Sequence, residues 1–116
     1  MSNLEVLSFI ENIVSICTTA GESKATFSKG EITEKMYEVE NKGFQFKLAT
    51  YKVILGEYMN SDQLSYLDDI ISKSLDLGEL QSDFESNGIS EKRFKKYKKA
   101  LRSTIDKIID FIMNEF

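Results

Sequence analysis

The last 28 residues of the chain, 89–116, are its longest stretch without glycine and have the pattern of one amphipathic helix. Ser90 is suited to cap the first turn, and Ile89 has the spacing to pack on Phe94. Apolar residues then recur every three or four positions, at Phe94, Tyr97, Leu101, Ile105, Ile108 and Ile112. Each contributes roughly 1.5–3 kcal/mol when it is buried, so the helix needs a partner surface. The rest of the chain must supply that surface.

Length and composition indicate one soluble globular domain covering residues 1–116. No apolar run approaches the roughly 20 residues needed to cross a bilayer, and Glu5 and Glu11 interrupt the first apolar segment. The single Cys17 has no partner for an internal disulfide and lies among apolar neighbours. We therefore expect a cytoplasmic protein that is not associated with a membrane.

Capping residues and glycines divide the first 60 residues. The Ser2–Glu5 capping box predicts a helix from Asn3 to about Thr18 that is stopped by Gly21. Residues 22–30 have the pattern of a loop. The next predicted helix runs from Glu31 to about Asn41, is capped by Ser28, ends or bends at Gly43 and carries Ile32, Met36 and Val39 on one side. Residues 44–59 fit a helix over the longer window, although Phe44, Phe46 and Leu48 alternate as in a strand. Any strand would lie between Lys24 and Val53.

Two further helices are predicted before the C-terminal one. Asn60 and Gln63 have capping-box spacing before a helix from Asp62 to about Leu77, which Gly78 is expected to stop. A shorter helix, Glu79 to Ser86, is expected to end in a cap at Asn87-Gly88. Connections of two to nine residues favour antiparallel neighbours. The predicted fold class is all-α, a compact antiparallel bundle of four to five helices with a long C-terminal helix.

The net charge of −4 hides a strong segregation of charge along the chain. Residues 1–91 hold 16 acidic and 7 basic side chains, a balance of −9, whereas residues 92–107 hold 8 basic and 1 acidic, a balance of +7. Seven basic residues fall in one short window: Lys92, Arg93, Lys95, Lys96, Lys98, Lys99 and Arg102. Five of them share the helix face opposite Phe94, at Lys92, Lys95, Lys96, Lys99 and Arg102.

This basic cluster has three interpretations. It is a solvated helix face, or it pairs with the protein's own carboxylates, or it binds a nucleic-acid backbone or an acidic protein surface. The carboxylates in question are Asp68, Asp69, Asp76, Glu79, Asp83 and Glu85. These carboxylates have two interpretations. Their excess negative charge keeps a small domain soluble, or they bind a basic groove on a partner. Phe94 and Tyr97 continue the apolar stripe, so we expect them in the core.

The sequence contains no motif that indicates a particular reaction. It contains no histidine and one cysteine, so no Cys/His metal site and no Ser–His or Cys–His nucleophile pair forms within the chain. The glycines are scattered, and adjacent carboxylates such as Asp68 and Asp69 point about 100° apart on a helix. No catalytic, cofactor-binding or metal-binding residue is predicted. An enzyme would have to rely on carboxylates, Tyr or Lys as its acid–base groups.

We therefore expect a non-enzymatic protein that binds another macromolecule, expected to be a protein, as an inhibitor, an immunity or antitoxin-like factor, or an assembly subunit. Abundant Lys, Ile, Ser and Asn, without Pro, His or Trp, are associated with AT-rich bacterial or phage genomes. The second hypothesis is a nucleic-acid-binding accessory subunit that uses the basic cluster. A homodimer seam is also conceivable at Ile109, Phe111, Met113 and Phe116.

Overall fold

A computed structural model describes residues 1–114 as four α-helices joined by connections of four or five residues. The helices are α1 (Asn3–Ser28), α2 (Glu34–Gly56), α3 (Ser61–Glu85) and α4 (Glu91–Met113). No strand occurs in residues 1–114, including the stretch between Lys24 and Val53. The predicted all-α bundle is confirmed in class. The C-terminal helix, with 23 residues, is shorter than α1 with 26 and α3 with 25.

The two central helices are α1 and α3. α1 contacts each of the other three helices, α3 also packs along α4, and α2 packs chiefly on α1 at one edge. Fully buried side chains from all four helices meet in one core, including Ile10, Leu55, Ile70 and Ile112. α1 is also long and apolar enough to cross a membrane by length and composition, contrary to the expectation from the sequence. A core helix that touches every other helix has the same composition.

The helix starts follow the local sequence signals closely. Ser2 accepts a hydrogen bond from the Glu5 amide at 3.2 Å, and the Glu5 carboxylate accepts one from the Ser2 amide, so the predicted capping box forms. Asn60 and Gln63 form the second box, with both bonds at 2.9 Å. Ser90 accepts from the Arg93 amide at 3.3 Å. These caps satisfy amide groups that have no partner within the helix.

Gly21 and Gly78 do not stop their helices, contrary to the prediction. α1 continues through Gly21 to Ser28, so residues 22–28 are helical and not a loop. α3 continues through Gly78 to Glu85, so the separate helix Glu79 to Ser86 does not exist. The two glycines lie where α1 and α3 come closest, and the backbone of the other helix occupies the space a side chain would need. They are retained for packing and not for chain reversal.

The turn after α1 lies later in the chain than the sequence indicated. Gly30, at φ 75°, is the left-handed residue after α1, and Glu31 donates its amide to the Thr26 carbonyl at 2.9 Å. The residue that caps α2 is Thr33, which accepts from the Met36 amide at 3.2 Å; the prediction of Ser28 as this cap was wrong. The predicted cap after α3 is confirmed, with Asn87 at φ 60°.

α2 is one continuous helix from Glu34 to Gly56, so the helix predicted for residues 44–59 is confirmed as far as Gly56, and the preceding helix does not end at Gly43. It packs on α1 through partly buried Leu48 and Tyr51 and fully buried Leu55. The Tyr51 ring meets Phe9 edge-on at 5.4 Å. The predicted buried side, with Met36 and Val39, faces solvent instead. α2 therefore has two apolar faces, one packed on α1 and one exposed to solvent on the outer side.

Candidate interaction surfaces

Three of the seven clustered basic residues form a line on the outside of α4. Lys92, Lys96 and Lys99, which we call the lysine stripe, are exposed and lie opposite the buried face of the helix. No ion pair is recorded for any of them among residues 1–114. The stripe is thus a concentration of positive charge that is accessible to an external anion.

The other four basic residues of the cluster are engaged within the molecule. Lys95 pairs with Glu91 at 3.0 Å, and Arg102 bridges Glu11 of α1 at 3.1 Å and Asp106 at 3.2 Å. Two more cations lie over aromatic rings, Arg93 over Tyr97 and Lys98 over Phe94, at 5.7 and 5.4 Å from the ring centroids. Of the five residues that the sequence places on one face, Lys95 and Arg102 are thus paired within the molecule, and Lys92, Lys96 and Lys99 form no described ion pair.

Tyr97 is an exposed residue and not a core residue as predicted. Its side chain is on the surface beside Arg93, whose Nη2 lies 3.5 Å from the Tyr97 hydroxyl. The hydrogen bond from Arg93, and then its positive charge, lower the pKa of Tyr97. Phe94, by contrast, is buried and stacks on Phe84 of α3 at 4.3 Å. The ring of Tyr97 therefore borders the groove between α3 and α4, together with Asp76 and Leu101.

A row of carboxylates runs along the outside of α3. Asp62, Asp69, Asp76 and Asp83 are seven residues apart, and Glu79 lies between the last two. Seven residues are about 20° short of two helical turns, so the row winds slowly around α3 as it extends for roughly 31 Å. Asp62, Asp69 and Asp76 are exposed. We call these five residues the acidic row. Asp62 was missed in the sequence analysis, although the seven-residue spacing would have shown it.

The carboxylates of α3 do not pair with the basic cluster of α4 in any described ion pair. Lysines from earlier in the chain neutralise part of them instead: Lys24 with Glu79 at 3.6 Å, Lys29 with Asp83 at 3.1 Å, and Lys52 with Asp68 at 3.1 Å. Glu85, which is off the row, accepts a hydrogen bond from the side-chain Nε2 of Gln81 at 3.1 Å. The hypothesis that the basic cluster pairs with these carboxylates is therefore wrong for the described ion pairs, because the cations that pair with α3 come from α1, the turn after it and α2.

An exposed apolar row on α2 was not predicted as a surface. Met36, Val39, Phe46 and Val53 are 51–75% exposed, and all lie on the side of α2 away from α1. Gly43 and Thr50 complete the row, which we call the apolar row of α2. Its six members alternate in steps of three and four residues. The sequence contains that spacing, but the spacing is the same for a buried stripe and for an exposed one.

The predicted homodimer seam at the C-terminus is not an apolar patch. Ile109 is buried, and Met113 is partly buried against the core. Phe111 is 59% exposed and stacks on Tyr66 at 5.9 Å, while Phe116 lies outside the described residues. Ile109 and Met113 are therefore not the exposed apolar residues that the seam required, because the last turns of α4 face α3.

The described part of the chain holds no metal-binding cluster: residues 1–114 contain no group of three or more His, Cys, Asp or Glu placed to hold a metal ion. The Cys17 thiol is buried, and burial raises its pKa to about 11, so it is protonated at neutral pH. Burial, and then the nearby charge of Glu85, raise the pKa of Glu22.

No protein-family model matches this sequence, and no curated protein or solved structure is significantly similar to it. The surfaces themselves are therefore the basis for a function.

Proposed function

We propose that this is a non-enzymatic protein that works by binding another protein, in the manner of an inhibitor, an immunity protein or an antitoxin of bacterial or phage origin. The observation that supports this is the acidic row of α3. Asp62, Asp69 and Asp76, which form no described ion pair, lie at seven-residue intervals on one helix and present negative charge over roughly 21 Å. Glu79 and Asp83, by contrast, are paired with lysines. A partner with a basic groove or a basic helix matches that charge.

The exposure of the acidic row determines how binding should depend on ionic strength. Asp62, Asp69 and Asp76 are solvated and unpaired in the described ion pairs, so contact with a cationic partner does not require an internal bridge to break. Charges of this kind mainly accelerate association and select against wrong partners. We therefore expect binding whose association rate falls steeply as ionic strength increases.

The proposal is tested by affinity capture from host lysate, followed by kinetics with the captured protein. The variant Asp69→Lys/Asp76→Lys should reduce the association rate by roughly tenfold or more. A matched control, Glu31→Lys/Glu38→Lys, makes the same change in net charge at exposed positions away from α3 and should have a much smaller effect. Equal effects of the two double variants, or none from either, would contradict a role for the acidic row.

The lysine stripe favours a second candidate, a nucleic-acid-binding accessory subunit. Lys92, Lys96 and Lys99 are exposed and form no described ion pair, which suits contact with a phosphate backbone. The net charge of −4 opposes this at long range. Fluorescence anisotropy with labelled RNA and DNA at low salt tests the candidate: Lys96→Glu should weaken binding, and Lys35→Glu on α2 should not. A flat titration with both nucleic acids would eliminate it.

A further inference from the structure

The apolar row of α2 has the spacing of a coiled-coil seam. Its positions, 36, 39, 43, 46, 50 and 53, repeat with a period of seven residues. The opposite side of the helix, with Leu48 and Leu55, packs toward the core. All six members of the row are exposed. The outer face of α2 is thus one half of a two-helix interface.

We propose that the other half is the same row of a second copy of this chain, with the two α2 helices antiparallel about a two-fold axis. In that arrangement the row is complementary to itself. Met36 lies opposite Val53 of the second copy, Val39 opposite its Thr50, and Gly43 opposite its Phe46. A two-fold interface repeats each of these contacts.

The largest and smallest members of the row meet in this arrangement. Phe46 is 75% exposed, and no atom lies within 4 Å of the place where a Cβ on Gly43 would be. The ring of one copy therefore fits over the bare backbone of the other, a knob entering a hole. A parallel pair would instead place Phe46 opposite Phe46 and leave Gly43 facing Gly43.

The charges beside the row also favour the antiparallel arrangement. Glu40 and Lys47 lie along the same flank, and in an antiparallel pair each flank meets its own counterpart. Glu40 then faces Lys47 of the second copy, and the symmetry gives this pair twice. A parallel pair would bring Lys42 of one copy beside Lys47 of the other, a repulsion that offsets its attraction between Lys35 and Glu40. Oε2 of Glu40 accepts a hydrogen bond from Ser23 of α1, so it is the other oxygen of this exposed carboxylate, Oε1, that would face Lys47 of the second copy.

The opposite flank presents no obstacle. In the antiparallel pair Lys42 faces Ala49 of the second copy, and Lys35 faces its Gly56, so no like charges meet. The seam is short, and we expect it to bury less than the roughly 800 Å² per partner of a standard interface. Because α2 is already folded on α1, association carries no cost of helix formation. A reversible, concentration-dependent dimer follows.

Sedimentation velocity across the micromolar range tests the dimer. The wild-type mass should rise from 13.3 kDa toward twice that value as concentration increases. Phe46→Glu should remain at 13.3 kDa throughout, while Leu4→Glu, at a 76%-exposed leucine on α1, should behave as wild type. Circular dichroism checks that both variants fold. A wild type that is monomeric at every concentration, or a Phe46→Glu variant that dimerises like wild type, would overturn the proposal.

The orientation is tested by reversing one charge. Lys47→Glu should weaken an antiparallel dimer by roughly tenfold, because it places two glutamates together on each side of the axis. The double variant Glu40→Lys/Lys47→Glu should restore it. A parallel dimer would be strengthened by Lys47→Glu, since the contact with Lys42 becomes attractive, and that result would overturn the arrangement. The acidic row lies on α3, so the dimer and the proposed function stand or fall separately.

Discussion

Gly21 of α1 and Gly78 of α3 each lie against the backbone of the other central helix. A Cβ placed on Gly21 would overlap the Leu75 carbonyl oxygen and lie 2.9 Å from its carbonyl carbon. One placed on Gly78 would overlap the Thr18 carbonyl oxygen and lie 2.8 Å from the Glu22 amide nitrogen. Backbone atoms of two packed helices cannot swing aside as the end of a flexible side chain can. The distance between α1 and α3 therefore depends on both glycines.

Alanine at either glycine is expected to destabilise the protein. The overlap should lower the free energy of unfolding by roughly 1–3 kcal/mol, in spite of the better helix propensity of alanine. Gly43→Ala is the matched control: it lies within α2, has nothing near its Cβ position, and should raise the free energy of unfolding by roughly 0.5–1 kcal/mol. Urea denaturation measures all three variants. A stabilisation from Gly21→Ala or Gly78→Ala would show that the helices are not closely packed there.

These glycines show which parts of the fold were readable from the sequence. The starts of α1, α3 and α4 were predicted because a cap depends on residues three positions apart, such as Ser2 with Glu5 and Asn60 with Gln63. The start of α2 was not, because Ser28 and Glu31 have the same spacing although Ser28 is the last residue of α1. A helix end was predicted poorly when it was assigned to a glycine. A glycine stops a helix or lets a second helix approach, and only the neighbour from elsewhere in the chain distinguishes these roles.

The same reasoning applies to the candidate surfaces. The periodicity of α2 contains two apolar stripes, and local sequence cannot show which one α1 covers. The lysine stripe of α4 lies opposite Phe94, because residues on one helix have a fixed angular relation, whereas Lys98 lies over the Phe94 ring. The sequence could not show that Arg102 forms an ion pair, because its partner Glu11 lies 91 positions earlier in the chain.

Removing the Ser74 hydroxyl is expected to stabilise the protein. Ser74 is fully buried in α3, and within the described residues its Oγ has no hydrogen-bond partner. Ser74→Ala should therefore raise the free energy of unfolding by roughly 1 kcal/mol. Ser82→Ala, also on α3, removes an oxygen that accepts from Lys29 Nζ at 2.9 Å and should lower it. Thermal denaturation of the pair provides the comparison; a loss of stability in both variants would indicate a partner for Ser74.

Cys17 should make stability depend on pH in the alkaline range. Burial raises the pKa of this thiol from 9.0 to about 11 in the folded protein. Below pH 9 the thiol is protonated in both states; above it the unfolded chain loses the proton and the folded one keeps it. Stability should thus fall between pH 9 and pH 11, by roughly 1 kcal/mol per pH unit. Comparison with Cys17→Ala isolates the effect from other titrating groups, and identical slopes would contradict a buried, protonated thiol.

Phe94 and Tyr97 should differ sharply in their contribution to stability, although the sequence places both on one stripe. Phe94 is 6% exposed and stacks on Phe84, whereas Tyr97 is 42% exposed and contacts Arg93. Phe94→Ala should cost roughly 3–5 kcal/mol through the cavity it leaves, and Tyr97→Ala less than about 1 kcal/mol. Phe94→Leu, which keeps most of the volume, should be intermediate. Urea denaturation gives the free energy of unfolding of the three variants. Similar losses for Phe94→Ala and Tyr97→Ala would place Tyr97 in the core. A core tyrosine would not be available to a partner in the groove between α3 and α4.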